Sequence, residues 1–215
     1  MEELPRKTAR RHQQGDESRL RILEATLAIA SERGYEGTSI GQVTEATGLP
    51  ASSVYWHFKN KDELLAATVE HSYRKWRASA PTWRERLDID DPAEQIRDRF
   101  HRASRGITDS PEFWRLGLLL GLESRTSDTA ARRRFLEVRA ETQGTIREWW
   151  SQVLPAEALA RCPEVANRLA LFQLAVMDGL YLGFRSERGW NVDRMVDLIA
   201  AGVYAQAMAW LEEAA

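Results

Sequence analysis

TSIGQVTEATGLPASSVYWHFKNKDELL, residues 38–65, decides the fold. Ser39 with Gln42 three residues on is a capping-box pattern, and it opens a short helix. Ile40, Val43 and Thr47 fall on one side of that helix, and Gly48 permits a sharp stop. Across the linker Gly48-Leu49-Pro50-Ala51, the run to Phe58 predicts a second short helix, with Val54 and Phe58 buried one turn apart. Asn60 ahead of Lys61, Asp62 and Glu63 is a further start signal, an Asn cap followed by acids in the first turn. That helix continues through Leu64, Leu65, Thr68 and Val69 to about Ser79.

Working outward, Ile22, Thr26, Ile29 and Ala30, with Leu23 and Leu27 beside them, predict a helix from about Ser18 to Arg33. Gly34 is placed to end it in a left-handed cap. Residues 1–17 are polar, with a basic cluster at Arg6, Lys7, Arg10 and Arg11. They lack the apolar residues needed to pack and read as a flexible arm. Downstream, Pro81 and then Asp90, Asp91 and Pro92 break the chain. Helices are expected near 93–107, 111–125, 128–153, 163–187 and 192–213. Of the eight tryptophans, all but Trp56 lie after residue 75. The expectation is an all-α protein with a small head at 18–66 and an aromatic-rich body at 67–215.

Composition bounds the function. The 215 residues carry 30 Lys+Arg against 32 Asp+Glu, a net charge of -2, so no global field attracts a polyanion. Any nucleic-acid contact must come from a local patch. The single cysteine, Cys162, excludes an intramolecular disulfide. The N-terminus has no apolar run of the secretory type. The stretch Leu169 to Phe184 is broken by Gln173 and Asp178 and is too short to span a bilayer. The chain is therefore read as cytoplasmic, with no membrane partner. The four histidines, His12, His57, His71 and His101, show no metal-ligand spacing. No nucleophile motif or phosphate loop is present. No metal, no cofactor and no enzymatic activity are expected.

Two short helices joined by a four-residue linker, with a longer helix on either side, form a helix-turn-helix plan. In that plan the second short helix enters the DNA major groove. It needs one face for the core and one for the groove. Val54 and Phe58 supply the first, while Ser52, Ser53, Tyr55 and Trp56 lie away from them. His57 and Lys61 stand where they can reach phosphates, and Lys61 sits at a helix N-terminus whose free N–H groups favour anions.

This stretch resembles the DNA-binding signature of the tetracycline-repressor (TetR) family of bacterial transcriptional regulators. The likeness is strongest at Tyr55-Trp56-His57 and Lys59-Asn60-Lys61 and covers roughly residues 18–66. It implies a homodimer on a palindromic double-stranded DNA operator, released by a small molecule held in the body. It also implies base-facing or groove-facing positions for Ala51, Ser52, Ser53, Tyr55 and Trp56. Phosphate-contact positions fall on Thr38, Tyr55, His57 and Lys61. Thr44 and Thr47 stand where Ala is usual, and Pro50 stands where a capping Ser is common. Gly41 offers no side chain where some members place a DNA contact. Readout is thus expected to rest more on the second short helix and on the arm, whose Arg6, Lys7, Arg10 and Arg11 would meet the minor groove or phosphates.

In the body, Ala175, Gly179 and Gly183 form a stripe of small residues, and Ala201, Ala205 and Ala209 form another. Two long helices of this kind suit a two-fold four-helix interface, although small residues also allow close packing within one chain. Phe100, Phe113, Trp114 and Trp150 lie at core-like spacing. With His101, Gln173 and Met177 they are candidates to line a pocket for an apolar or aromatic effector. The reading is a ligand-responsive repressor. Its rivals are a constitutive DNA-binding regulator and an enzyme with a vestigial head. The second rival lacks any nucleophile–base or metal constellation.

Overall fold

The computed structural model describes residues 6–79, 88–123, 128–187 and 189–213. Among these the protein is all-helical. The helices are α1 (Arg6–Arg33), α2 (Ile40–Thr47), α3 (Ala51–His57), α4 (Lys61–Ser79), α5 (Pro92–Asp109), α6 (Pro111–Leu122), α7 (Ala130–Val153), α8 (Ala156–Arg161), α9 (Val165–Ser186) and α10 (Val192–Glu213). They form two compact units. One joins the chain up to Arg74 with Arg115–Leu136, and the other joins Lys75–Trp114 with Glu137–Ala215.

Local chemistry sets the helix ends in the first unit. Gly34 takes φ 69° and its N–H bonds the carbonyl of Ala30, closing α1. Ser39 and Gln42 form the complete capping box on α2, and Gly48 ends that helix at φ 66°. Pro50 caps α3 without any side-chain bond. Asn60 Oδ1 accepts from the N–H of Glu63 at 2.8 Å and starts α4. Ile22, Leu23, Val43, Val54, Phe58 and Leu64 make one core cluster under α2 and α3. A second cluster lies on the other side of α1 and α4. There Leu27, Ala30, Leu65 and Val69 meet Leu116, Leu120, Ala131 and Phe135. The expected head at 18–66 is therefore part of a larger unit, because α1 and α4 are apolar on two faces.

One difference concerns the arm. Helix α1 begins at Arg6, not near Ser18, so residues 6–17 are helical and not a flexible tail. Arg, Lys, Ala and Gln are strong helix formers and need no apolar face to extend a helix already anchored downstream. Residues 1–5 lie outside the described residues.

In the second unit, α10 packs on α5 and α9. Ile96, Phe100, Ala103 and Ile107 are buried at helical spacing on α5, as are Val196, Ala200, Val203 and Ala207 on α10. The expected helix at 163–187 is α9, and a separate short helix, α8, precedes it. Only Ala158 of α8 is buried, so AEALAR carries no readable periodicity. The break expected at Pro81 lies outside the described residues. No helix among the described residues is long and apolar enough to cross a membrane.

Candidate nucleic-acid interface

Helix α3 is held by its buried side and offers its other side to solvent. Val54 and Phe58 are buried at 0% and 3% exposure, while Tyr55 is 55% and Trp56 83% exposed. Successive residues turn by about 100°, so fixing Val54 inward sends Trp56 outward. Ala51 and Ser52 are exposed and Ser53 is half-buried. A shallow groove of about 310 Å³ runs beside them, lined by Gln14, Gly15, Ser18, Ser52, Ser53, Trp56 and His57. Hydroxyls, an imidazole and a bare indole thus share one surface, suited to base edges and phosphate oxygens.

His57 and Lys61 flank this surface, and each has a partner. His57 Nε2 lies 2.8 Å from Ser18 Oγ. Burial, and then the charge of Arg19, lowers its pKa below the usual histidine value, while Asp16 acts in the opposite sense. Lys61 Nζ donates to the carbonyl of Tyr35 at 3.0 Å and sits 4.4 Å from the centre of the Tyr35 ring. An ammonium has three N–H donors, so two of them remain for a phosphate.

The Thr38 expectation does not hold for its side chain. Thr38 is 1% exposed, and its hydroxyl donates to the carbonyl of Gly34 at 2.7 Å. It locks the turn after α1 and cannot reach a phosphate in this conformation. Arg6, Lys7, Arg10 and Arg11 lie on the first turns of α1, but their side chains are outside the described residues.

Sequence reading missed Ser18 and Gln14, because they approach α3 from a helix some forty positions upstream. It also missed a polar junction beneath the interface. Asp62 accepts the N–H groups of Ala130 and Ala131 at 2.9 and 3.3 Å, capping α7. Tyr35 hydrogen-bonds Asp62, and its pKa is raised above the usual tyrosine value, first by burial and then by the charge of Asp62. Glu123 accepts the N–H of Tyr35 at 3.3 Å, and Arg134 Nε donates to Glu70 at 2.8 Å. The Asp62 after Asn60 read as an ordinary first-turn acid, and no local signal pairs it with residue 130.

The second unit places its candidates as follows. Phe100, Phe113, Trp150, Gln173 and Met177 are buried, and Trp114 is half-buried. His101 departs from its expected place in a pocket. Its Nε2 lies 2.8 Å from Asp197 and its Nδ1 3.6 Å from Asp193, so it bridges α5 to α10 among carboxylates. Ala175, Gly179, Ala201 and Ala205 are exposed, with Leu171, Leu182 and Leu198 beside them. Gly183 departs from that face. A Cβ there would meet Trp190 Cζ2 at 2.5 Å, so its smallness serves packing within the chain. Ala209 is half-buried.

Residues 22–68 match the family model of the bacterial regulatory proteins of the tetR family. The HTH-type transcriptional regulator AcrR of Shigella flexneri is 37% identical over 60 residues, 28% of each chain. The HTH-type transcriptional repressor NicS of Pseudomonas putida is 31% identical over 93 residues, 43% of each chain. Both matches thus span less than half of these relatives. The fold is similar to that of AibR, crystallised with isovaleryl coenzyme A and operator DNA. The TM-score is 0.65 at 20% identity, over 85% of this chain and 96% of that one. The likeness in sequence to the tetR family of bacterial regulatory proteins thus lies in the helix-turn-helix region, residues 22–68.

Proposed function

We propose that this chain is a DNA-binding transcriptional repressor, which binds a palindromic operator as a homodimer and is released by a small molecule held in its C-terminal region. The observation that carries the reading is α3, clamped by Val54 and Phe58 with Trp56 left 83% exposed. An outward indole gains nothing from water, and in the major groove it meets a thymine methyl or the sugar–phosphate edge. Ala51, Ser52, Ser53 and Tyr55 complete the base-facing set. Tyr55, His57 and Lys61 serve phosphates, with the basic start of α1 as a further contact.

The homodimer reading is supported by the exposed stripes on α9 and α10. Ala175 and Gly179 lie between Leu171 and Leu182, and Ala201 and Ala205 follow Leu198. A two-fold axis through these helices would make a four-helix interface. Two recognition helices about 34–36 Å apart then meet successive major grooves. The effector acts only if it prefers a different spacing. Phe100, Phe113, Trp114, Trp150, Gln173 and Met177 are its proposed contacts. The AibR complex supports this reading by analogy of fold.

Selection from a random duplex library tests the function. Enriched sequences should form an inverted repeat with half-sites about one turn apart, bound by two chains. Failure to enrich any sequence over the starting pool contradicts the reading.

A further inference from the structure

The buried side of α9 carries a hydrogen-bond donor with nothing to receive its protons. Gln173 is fully buried. Trp150 Nε1 donates to its Oε1 at 3.0 Å. An indole N–H can only donate, so this bond fixes which end of the amide faces Trp150. The other end, Nε2, is buried without a hydrogen-bond partner. Native interiors retain few such groups, because a buried donor forfeits the bond it would make to water.

The surroundings are mostly aromatic and apolar, with the buried guanidinium of Arg99 lying 5.8 Å from the centre of the Trp149 ring. Met177 and Tyr181 continue the buried side of α9 from Gln173. The Trp149 ring lies 4.8 Å from that of Trp150. Trp114 stacks on Tyr181 at 6.4 Å, and its Nε1 is a second buried donor without a partner. Gln173 and Tyr181 are eight residues apart, roughly 12 Å along a helix. What both orphaned donors lack is an acceptor.

Building on the ligand-responsive reading above, we infer that Gln173 is the polar anchor of the effector site. The effector is an apolar or aromatic molecule carrying a carbonyl or carboxylate oxygen, which accepts a hydrogen bond from Gln173 Nε2. The rest of the molecule lies along Met177 and Tyr181. A hydrocarbon of the same shape leaves the donor unpaired and is discriminated against, since sites built to hydrogen-bond reject analogues that lack the group.

Equilibrium dialysis of the full-length protein against three matched probes tests this. They are 2-acetonaphthone, 2-naphthoate and 2-ethylnaphthalene, which share one apolar body and differ in the acceptor. At least one oxygen-bearing probe should bind ten-fold or more tightly than 2-ethylnaphthalene. A preference for naphthoate assigns a carboxylate, and a preference for acetonaphthone assigns a carbonyl. Gln173→Met keeps the volume and removes the donor, and with it the amide oxygen that accepts from Trp150 Nε1. It should abolish the preference, so that the three probes bind the variant alike. Equal binding of all three probes by the native protein, or a preference that survives Gln173→Met, overturns the anchor and leaves the effector reading standing. If none of the three binds, the effector site as placed here fails, and the anchor with it. Should Gln173→Met not fold, the native preference alone decides between these outcomes.

Discussion

Asp62 Oδ2 accepts the backbone N–H of Ala130 at 2.9 Å, across 68 positions of sequence. A carboxylate at this place meets both the unpaired N–H groups and the positive end of α7. The adjoining residue, Lys61, holds the carbonyl of Tyr35, whose hydroxyl in turn hydrogen-bonds Asp62. The first turn of α7, the turn after α1 and the start of α4 are thereby tied together. A shift of that first turn must break these bonds or carry the phosphate-contact candidate Lys61 with it.

Asp62→Ala is expected to lower stability by about 0.5–2 kcal/mol, the usual cost of losing a cap. Asp62→Asn keeps an acceptor oxygen and should lose clearly less. Urea unfolding of the two variants beside the parent checks this, and equal losses would contradict the capping role.

Lys61→Ala should weaken binding to every DNA sequence alike. The slope of log affinity against log salt should fall by about one per half-site, because one phosphate contact is gone. Titrations of operator and random duplex over a series of salt concentrations make the measurement. Altered base preference at an unchanged slope would assign Lys61 a different role.

His57 titrates with a definite sign. Its folded pKa is lowered by burial first and by Arg19 second. As pH falls below about 6.5, the unfolded chain takes up the proton before the folded one does. The stability that His57 contributes is therefore complete above about pH 6.5. It is lost as pH falls from there through the lower folded value. His57→Gln should flatten the dependence of Tm on pH in that range, and an undiminished slope in the variant would argue against it.

Gly179→Leu separates the proposed dimer from the fold. Nothing lies within 4 Å of a Cβ at Gly179, so the single chain has room for the larger side chain. In ultracentrifugation the variant should lose its dimer while remaining helical by circular dichroism. Gly183→Ala should instead destabilise the chain itself, since its Cβ runs into Trp190. A dimeric Gly179→Leu protein would place the interface elsewhere.

Much of this was legible because it is local. The Ser39–Gln42 box, the Gly34 and Gly48 stops, the Asn60 cap and the opposed sides of α3 each follow from residues a few positions apart. What was not legible depends on distant partners. Thr38 could be seen near α2, but not that Gly34 claims its hydroxyl. His101 looked like a pocket residue because its acids, Asp193 and Asp197, lie on the last helix. Gly183 shares its spacing with Gly179, and only Trp190 tells them apart. Helix α8 is too short and too exposed to announce itself, and the two-sided character of α1 and α4 depends on where α6 and α7 pack.

The central claim is that α3 reads DNA through its exposed face, and Trp56→Ala tests it most directly. Trp56 makes no part of either core cluster of the first unit, so melting temperature and oligomeric state should be unchanged. Paired titrations on operator and random duplex at one salt concentration should show a loss of about 1–3 kcal/mol on the operator, the usual range for one groove contact. The loss on random duplex should be much smaller, because the phosphate contacts remain. An operator affinity equal to that of the parent protein, or a head that unfolds, would contradict the assignment of this face.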